Sequence, residues 1–270
     1  MKKYYFLAGL PRSGNTLLSS ILNQNKSISV SANSPVSEIM FNLEESKKYD
    51  LGFKNFPDFK SYDNIIKNIL PSYYENWNSS YIIDRSGAWG APDNLNLLKK
   101  YCPNEIKIIV LIRDVIEVLA SFIKWSQENP NNFIDRDYKT IEDQCDFLMS
   151  PHGQIIKGML SFINLKKENP SYSIFIDYSD LVSNCENQIE KIYKFLNIPQ
   201  YNHYYNNFEK FSTNNLSYDD ADFGKNLHTI RTDHIERNKY SVSDILPKKV
   251  IEKYSDFNNI IFGNNSYGLY

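Results

Sequence analysis

The stretch from Lys3 to Asn25 constrains the fold of this chain more than any other. Tyr4-Tyr5-Phe6-Leu7-Ala8 is an apolar run without helical period, which predicts a strand covered on both faces, as in a parallel sheet. Gly9, Pro11, Ser13 and Gly14 then form a tight loop, after which Leu17, Leu18, Ile21 and Leu22 recur at helical spacing. In such a strand, loop and helix, the loop amides and the first helical turn point at one spot, where the helix dipole favours an anion. A phosphate or sulfate is the expected guest. Gly9 to Gly14 has the spacing of the nucleotide P-loop, G-x-x-x-x-G-K-[ST], with Thr16 in the hydroxyl position. Asn15 replaces the lysine, and Arg12 sits inside the loop, where a guanidinium can grip an oxyanion with two donors.

The same alternation continues along the chain. A short strand is expected at Ile28 to Val30, and buried strands at Tyr81-Ile82-Ile83, Ile106 to Ile112 and Ser173-Ile174-Phe175-Ile176. Amphipathic helices are expected from Pro35 to Leu43, Asn64 to Trp77 with a kink or break at Pro71, Asn94 to Tyr101, Val115 to Trp125, Asn187 to Leu196 and onward from Pro247. Asp50 to Pro57 reads as a loop, and Tyr138 to Lys167 as one long helix or two separated near Pro151-His152-Gly153. This pattern predicts an α/β fold, a P-loop-type parallel sheet flanked by helices, in a single domain over 1–270. Within it lie a helical insert at about 36–78 and a polar, aromatic, lid-like segment at about 200–245. Ligands of such sheets sit beyond the carboxyl ends of the strands. Arg12, Asp84, Arg85 and Arg113 all fall there.

Composition narrows the partners. With 41% hydrophobic and 23% charged residues over 270, the chain has material for a substantial core. A net charge of −2 argues against nucleic acid as the main partner. No stretch reaches transmembrane length, and Pro11-Arg12 interrupts the apolar run after Met1-Lys2-Lys3 that would imitate a signal peptide. A cytoplasmic protein is expected. Cys102, Cys145 and Cys185 form no C-x-x-C pair, which fits reduced thiols and offers no metal site.

Gly9-Leu10-Pro11-Arg12-Ser13-Gly14-Asn15-Thr16-Leu17 resembles the 5′-phosphosulfate loop, P-[KR]-S-G-[TS]-[TS], of the sulfotransferases that use 3′-phosphoadenosine 5′-phosphosulfate (PAPS). Val110-Leu111-Ile112-Arg113-Asp114, with Ser121 further along the helix, resembles the element that holds the 3′-phosphate in that family. Ile176-Asp177-Tyr178-Ser179-Asp180-Leu181 is similar to the family's strand-end Y-E-D-L, whose tyrosine lies against the adenine. Leu227-His228-Thr229-Ile230-Arg231, then Lys239-Tyr240 before Leu246-Pro247, looks like the segment that closes over the cofactor in tyrosylprotein sulfotransferases and their bacterial relatives. There Lys239 takes the place of a family lysine, and Arg231 is added on charge alone.

The resemblance implies a PAPS-dependent sulfotransferase, which passes a sulfuryl group to a hydroxyl or amine of a small-molecule, peptide or carbohydrate acceptor and leaves adenosine 3′,5′-bisphosphate (PAP), with no metal. It implies that Arg12, Ser13, Gly14, Asn15, Thr16 and Leu17 hold the 5′ end and that Arg113 and Ser121 select the 3′-phosphate. Tyr178 would lie against the purine, and Arg231 and Lys239 would close over it. Asp84-Arg85-Ser86 stands where bacterial members often carry D-K-S, so Arg85 replaces a catalytic lysine. It can offset charge on the bridging oxygen but stays charged and gives no proton.

Transfer to a hydroxyl also needs a base. The tyrosylprotein enzymes use a glutamate whose position here is Asn33, an amide without that capacity. Asp84, at a strand end, is the first candidate, and Glu38, one helical turn beyond the Asn33 loop, the second. His152, His203, His228 and His234 show no metal spacing and are expected in surface or structural roles. Two other classes stay open. One is a P-loop kinase or NTPase, in which Ile108 to Asp114 would imitate a magnesium-binding strand. The other is a catalytically inactive nucleotide-binding module, favoured by Asn33. Acceptor identity and oligomeric state have no motif.

Overall fold

A computed structural model describes residues 2–206, 208–220, 227–230, 232–235 and 240–258. Its centre is a five-stranded, all-parallel sheet in the order β2-β3-β1-β4-β5. The strands are β1 (Lys3–Gly9), β2 (Ile28–Asn33), β3 (Tyr81–Arg85), β4 (Ile108–Ile112) and β5 (Ser173–Asp177).

Side chains alternate across β1 with the period of two that a strand imposes. Tyr4, Phe6 and Ala8 enter one apolar layer, Tyr5 and Leu7 the other. Phe6, Leu7 and Ala8 are fully buried, because helices cover both faces and no solvent face is left to favour a polar alternation.

The thicker layer holds seven helices: α2 (Val36–Ser46), α4 (Phe59–Tyr73), α5 (Pro92–Tyr101), α6 (Val115–Glu128), α7 (Ile141–Leu148), α8 (Gln154–Glu168) and α11 (Lys248–Tyr254). Trp89, on a short 3₁₀ turn after β3, is fully buried in this layer and meets the Phe6 ring edge-on at 4.8 Å. The thinner layer is built from α1 (Asn15–Leu22) and α10 (Cys185–Leu196), through Leu18, Ile21, Ile189 and Ile192. The remaining helices are α3 (Leu51–Asn55) and α9 (Tyr178–Ser183).

The expected α/β architecture is the one observed. Two local differences have local causes. The stretch read as a loop contains α3, because Asp50 caps it by accepting the Phe53 amide at 2.7 Å. Helix α4 begins five residues before the expected Asn64, at Phe59, because Asp58 accepts the Ser61 amide, and Pro71 sits in its last turn without ending it. Of the two readings of the 138–167 stretch, the one with two helices is observed, as α7 and α8. Gly153 divides them where a Cβ would meet the Leu148 carbonyl oxygen at 2.2 Å. No helix among the described residues is long and apolar enough to cross a membrane.

Candidate functional site

Strand register brings the site together. Leu7 of β1 pairs with Arg85 of β3, and Gly9 pairs with Leu111 of β4. The carboxyl ends of the three middle strands therefore deliver the Arg12 loop, Arg85 and Arg113 side by side.

The loop from Gly9 to Asn15 is braced from within. The Asn15 side chain donates to the Leu10 carbonyl at 2.8 Å, and the Ser13 hydroxyl donates to the same oxygen at 2.6 Å. Gly9 must be glycine for this closure, since a Cβ there would lie 2.2 Å from Asn15 Oδ1. Asn15 thus fills the place of the absent P-loop lysine with a brace. Arg12 at φ 61° and Gly14 at φ 90° adopt left-handed backbone, a strained state for the arginine that the surrounding contacts hold in place. Helix α1 has no side-chain cap, and the amides of Asn15, Thr16 and Leu17 find no acceptor among the described residues. These are the free donors that make a helix start attractive to an anion.

Arg12 reaches across to α6, where its Nε donates to Ser121 Oγ at 3.1 Å, and back to the 200–245 segment, where an NH donates to the Leu227 carbonyl at 2.5 Å. Arg113 donates to the Arg12 carbonyl at 2.8 Å and to Glu117 at 3.0 Å. Its guanidinium lies 4.2 Å over the Tyr178 ring, a cation–π contact with a flat aromatic platform. That ring also closes on the loop, because a Cβ on Gly14 would be 2.8 Å from Tyr178 Cδ2. Arg12, Arg113, Ser121 and Tyr178 therefore share one cleft.

Arg85 enters from the other side. One NH reaches Thr16 Oγ1 at 3.4 Å, and the same group is hydrogen-bonded to the Tyr218 hydroxyl. Burial holds both Arg12 and Arg85 below the usual guanidinium range, and for Arg12 the neighbouring Arg113 adds to this. Arg113 has Glu117 as counter-charge. Arg12 and Arg85 have only hydroxyls and a carbonyl among the described residues. Two shielded cations without a carboxylate are costly, and an anion placed between them would offset that cost.

Asp84 and Glu38 do not join this cleft. Along β3 the alternation sends Asp84 to the thick layer, where it is fully buried and accepts from Tyr74 Oη at 2.5 Å and Trp89 Nε1 at 2.6 Å. Desolvation raises its pKa, against those hydrogen bonds. Both oxygens are committed to architecture. Glu38 is exposed in the first turn of α2, and Asn33, at the end of β2, is exposed beside its register partner Arg85. Arg231 and Lys239 lie outside the described residues. Asp114 caps α6, accepting from the Ile116 amide at 2.8 Å and the Glu117 amide at 3.1 Å, and its other oxygen accepts from Asn258 at 2.7 Å. No cluster of three metal-ligating side chains occurs among the described residues.

Sequence reasoning missed Ser31, whose hydroxyl accepts the Arg85 amide at 2.8 Å, as well as Glu117, Tyr218 and Asp220; it read His228 within the closing segment but expected of it only a surface or structural role. Glu117 had a signal, four residues after Arg113 on a helix. Tyr218 and Asp220 had none, because an irregular segment has no period from which to place its side chains.

Residues 5–203 match the family model described as the sulfotransferase family. No curated protein matches the sequence. Solved structures share the fold at low identity. The sulfotransferase domain from the curacin biosynthetic pathway superposes with a TM-score of 0.53 at 17% identity, covering 96% of this chain and 98% of that one. Mouse sulfotransferase SULT7A1 complexed with PAP gives 0.55 at 14% identity, covering 99% and 86%. Sulfotransferase STF9 from Mycobacterium avium gives 0.52 at 11% identity, covering 96% and 76%.

Proposed function

This chain belongs to the sulfotransferase family, and from that premise we propose that it moves the sulfuryl group of PAPS to a hydroxyl or amine acceptor and releases PAP. The observation that carries this reading is the pair of guanidinium groups, Arg12 and Arg85, that flank the uncapped start of α1 and have no carboxylate partner among the described residues. That donor set fits a phosphosulfate, and a nucleotide complexed in the mouse structure of the same fold supports the choice of guest.

In this reading Arg12 and the amides of Ser13 to Leu17 face the 5′ end, those of Asn15, Thr16 and Leu17 with their hydrogens still free. Arg113 and Ser121 face the 3′-phosphate. Tyr178, already stacked under Arg113, offers a face to the purine. Arg231 and Lys239 would close over it from the 200–245 segment. Bound PAPS would supply an activated sulfuryl group. Arg85 then holds positive charge where negative charge develops, preorganised by Thr16 and Tyr218. The insert at 36–78 and the segment at 200–245, within one domain over 1–270, would shape the pocket of a small-molecule, peptide or carbohydrate acceptor. The free thiols Cys102, Cys145 and Cys185 support a reducing compartment such as the cytoplasm.

The kinase reading needs Asp114 for magnesium, and that carboxylate is already taken by two amides and Asn258. Thermal shift separates the two. PAP is expected to raise the melting temperature and ATP with magnesium to leave it unchanged, through ligand linkage; the opposite pattern would overturn the proposal in favour of a kinase. PAP binding without sulfuryl transfer to any acceptor would mark an inactive module.

A further inference from the structure

The 200–245 segment places a histidine and a carboxylate against the candidate cleft. His228 Nδ1 lies 2.6 Å from Asp220 Oδ1, and the His228 backbone amide donates to Asp220 Oδ2 at 3.1 Å. Two contacts to one carboxylate fix the ring in position. They also fix its tautomer, because an ionised carboxylate only accepts: the proton sits on Nδ1 and the lone pair on Nε2. The His228 and Asp220 side chains are 14% and 19% exposed.

The imidazole stacks flat on Tyr218, with centroids 3.8 Å apart and planes within 3°. Tyr218 is bonded through its hydroxyl to Arg85, and the neighbouring Leu227 carbonyl accepts from Arg12. The ring therefore stands beside both guanidinium groups that lack a carboxylate partner among the described residues. Burial lowers its pKa, Arg85 and Arg12 lower it further, and Asp220 opposes them.

We propose that His228 is the general base of the transfer and that Asp220 is its positioning residue, an assignment that rests on the sulfotransferase reading above. His228 Nε2 takes the proton of the acceptor hydroxyl as the acceptor oxygen forms its bond to sulfur. The bond between sulfur and the bridging oxygen of the 5′-phosphate breaks, and its electron pair leaves with the phosphate of PAP. The imidazolium, steadied by Asp220, then returns its proton to solvent. This fills the place left by Asn33 and by an Asp84 whose oxygens are spent inside the core.

The test compares the full chain with His228→Gln and Asp220→Asn. PAP serves as the binding probe, and PAPS with a simple phenol, or with water alone, as the transfer probe. PAP is expected to bind all three proteins within about threefold. PAP formation falls roughly 100-fold or more in His228→Gln, the usual scale of a lost base, and by less in Asp220→Asn. The acid limb of the wild-type rate, where the imidazole becomes charged, disappears in His228→Gln. It moves to lower pH in Asp220→Asn, because the carboxylate no longer favours the imidazolium against Arg12 and Arg85 while Tyr218 still covers the ring. NMR of the imidazole nitrogens is expected to find the proton on Nδ1 in the wild type and shared between the two nitrogens in Asp220→Asn.

A His228→Gln rate within about threefold of wild type, with the acid limb intact, would overturn the proposal. So would a proton found on Nε2, or a wild type that binds PAP yet forms none from PAPS with either acceptor. A wild type that does not bind PAP at all overturns the sulfotransferase reading first, and the base with it.

Discussion

Asp84 and Arg85 are consecutive residues at the end of β3, both buried and both ionisable, yet they face opposite sides of the sheet and do different things. Asp84 points into the thick layer, where an indole and a phenol satisfy its oxygens. Arg85 points into the thin layer, where its partners among the described residues are hydroxyls. Burial alone therefore does not separate architecture from function. What separates them is whether the partners around a buried charge complete its hydrogen bonds and offset its sign.

The largest expected effect breaks the thick side. Asp84→Ala removes the acceptor for Trp89 and Tyr74 and is expected to cost about 3 kcal/mol of stability from two orphaned donors, measured by urea unfolding, with PAP affinity of the folded protein unchanged. A cost below about 1 kcal/mol would mean that the pair is not structural.

On the thin side the order reverses. Arg113→Ala is expected to weaken PAP binding roughly 10- to 100-fold, the scale of charge-assisted hydrogen bonds at about 1.5–3 kcal/mol, and to leave acceptor KM nearly unchanged. Equal PAP affinity in calorimetry would remove Arg113 from the cleft.

The smallest effect concerns His203, which anchors the segment after α10 through a hydrogen bond between its Nε2 and the Tyr193 hydroxyl at 2.8 Å. Burial lowers its pKa from 6.5 to about 4. The folded protein therefore prefers the neutral ring, and the stability this gives is complete above about pH 6.5 and drains away as pH falls toward 4. His203→Gln is expected to flatten the melting-temperature profile in that window, and a profile parallel to wild type would count against the anchor.

The thin side was the more legible of the two in the sequence, for a physical reason. A strand, a glycine loop and a helix written in consecutive residues reveal their geometry through period and punctuation, so β1, the Arg12 loop and α1 were readable, as was Arg113 at the end of an apolar run. Asp84 and Arg85 could both be assigned to a strand end. Which face each would take required knowing that Tyr74, in the turn after α4, and Trp89 surround one of them. The partnership of Asp220 with His228 had no such clue, because neither residue belongs to a helix or strand. Caps on short helices, such as Asp50 on α3, were lost because a single side chain decides them.

The bond from Arg113 to the Arg12 carbonyl has a consequence beyond holding a strained backbone. It pins the end of one strand to the loop of its neighbour, so the span between the two arginines is set by β-sheet spacing and not by flexible side chains. The cleft then behaves as a calliper with a fixed opening. In the proposed reading, a guest with negative groups at both tips at the matching separation would meet both guanidinium groups at once, whereas one that is shortened, or stripped at either tip, would forfeit more than the contact it lost.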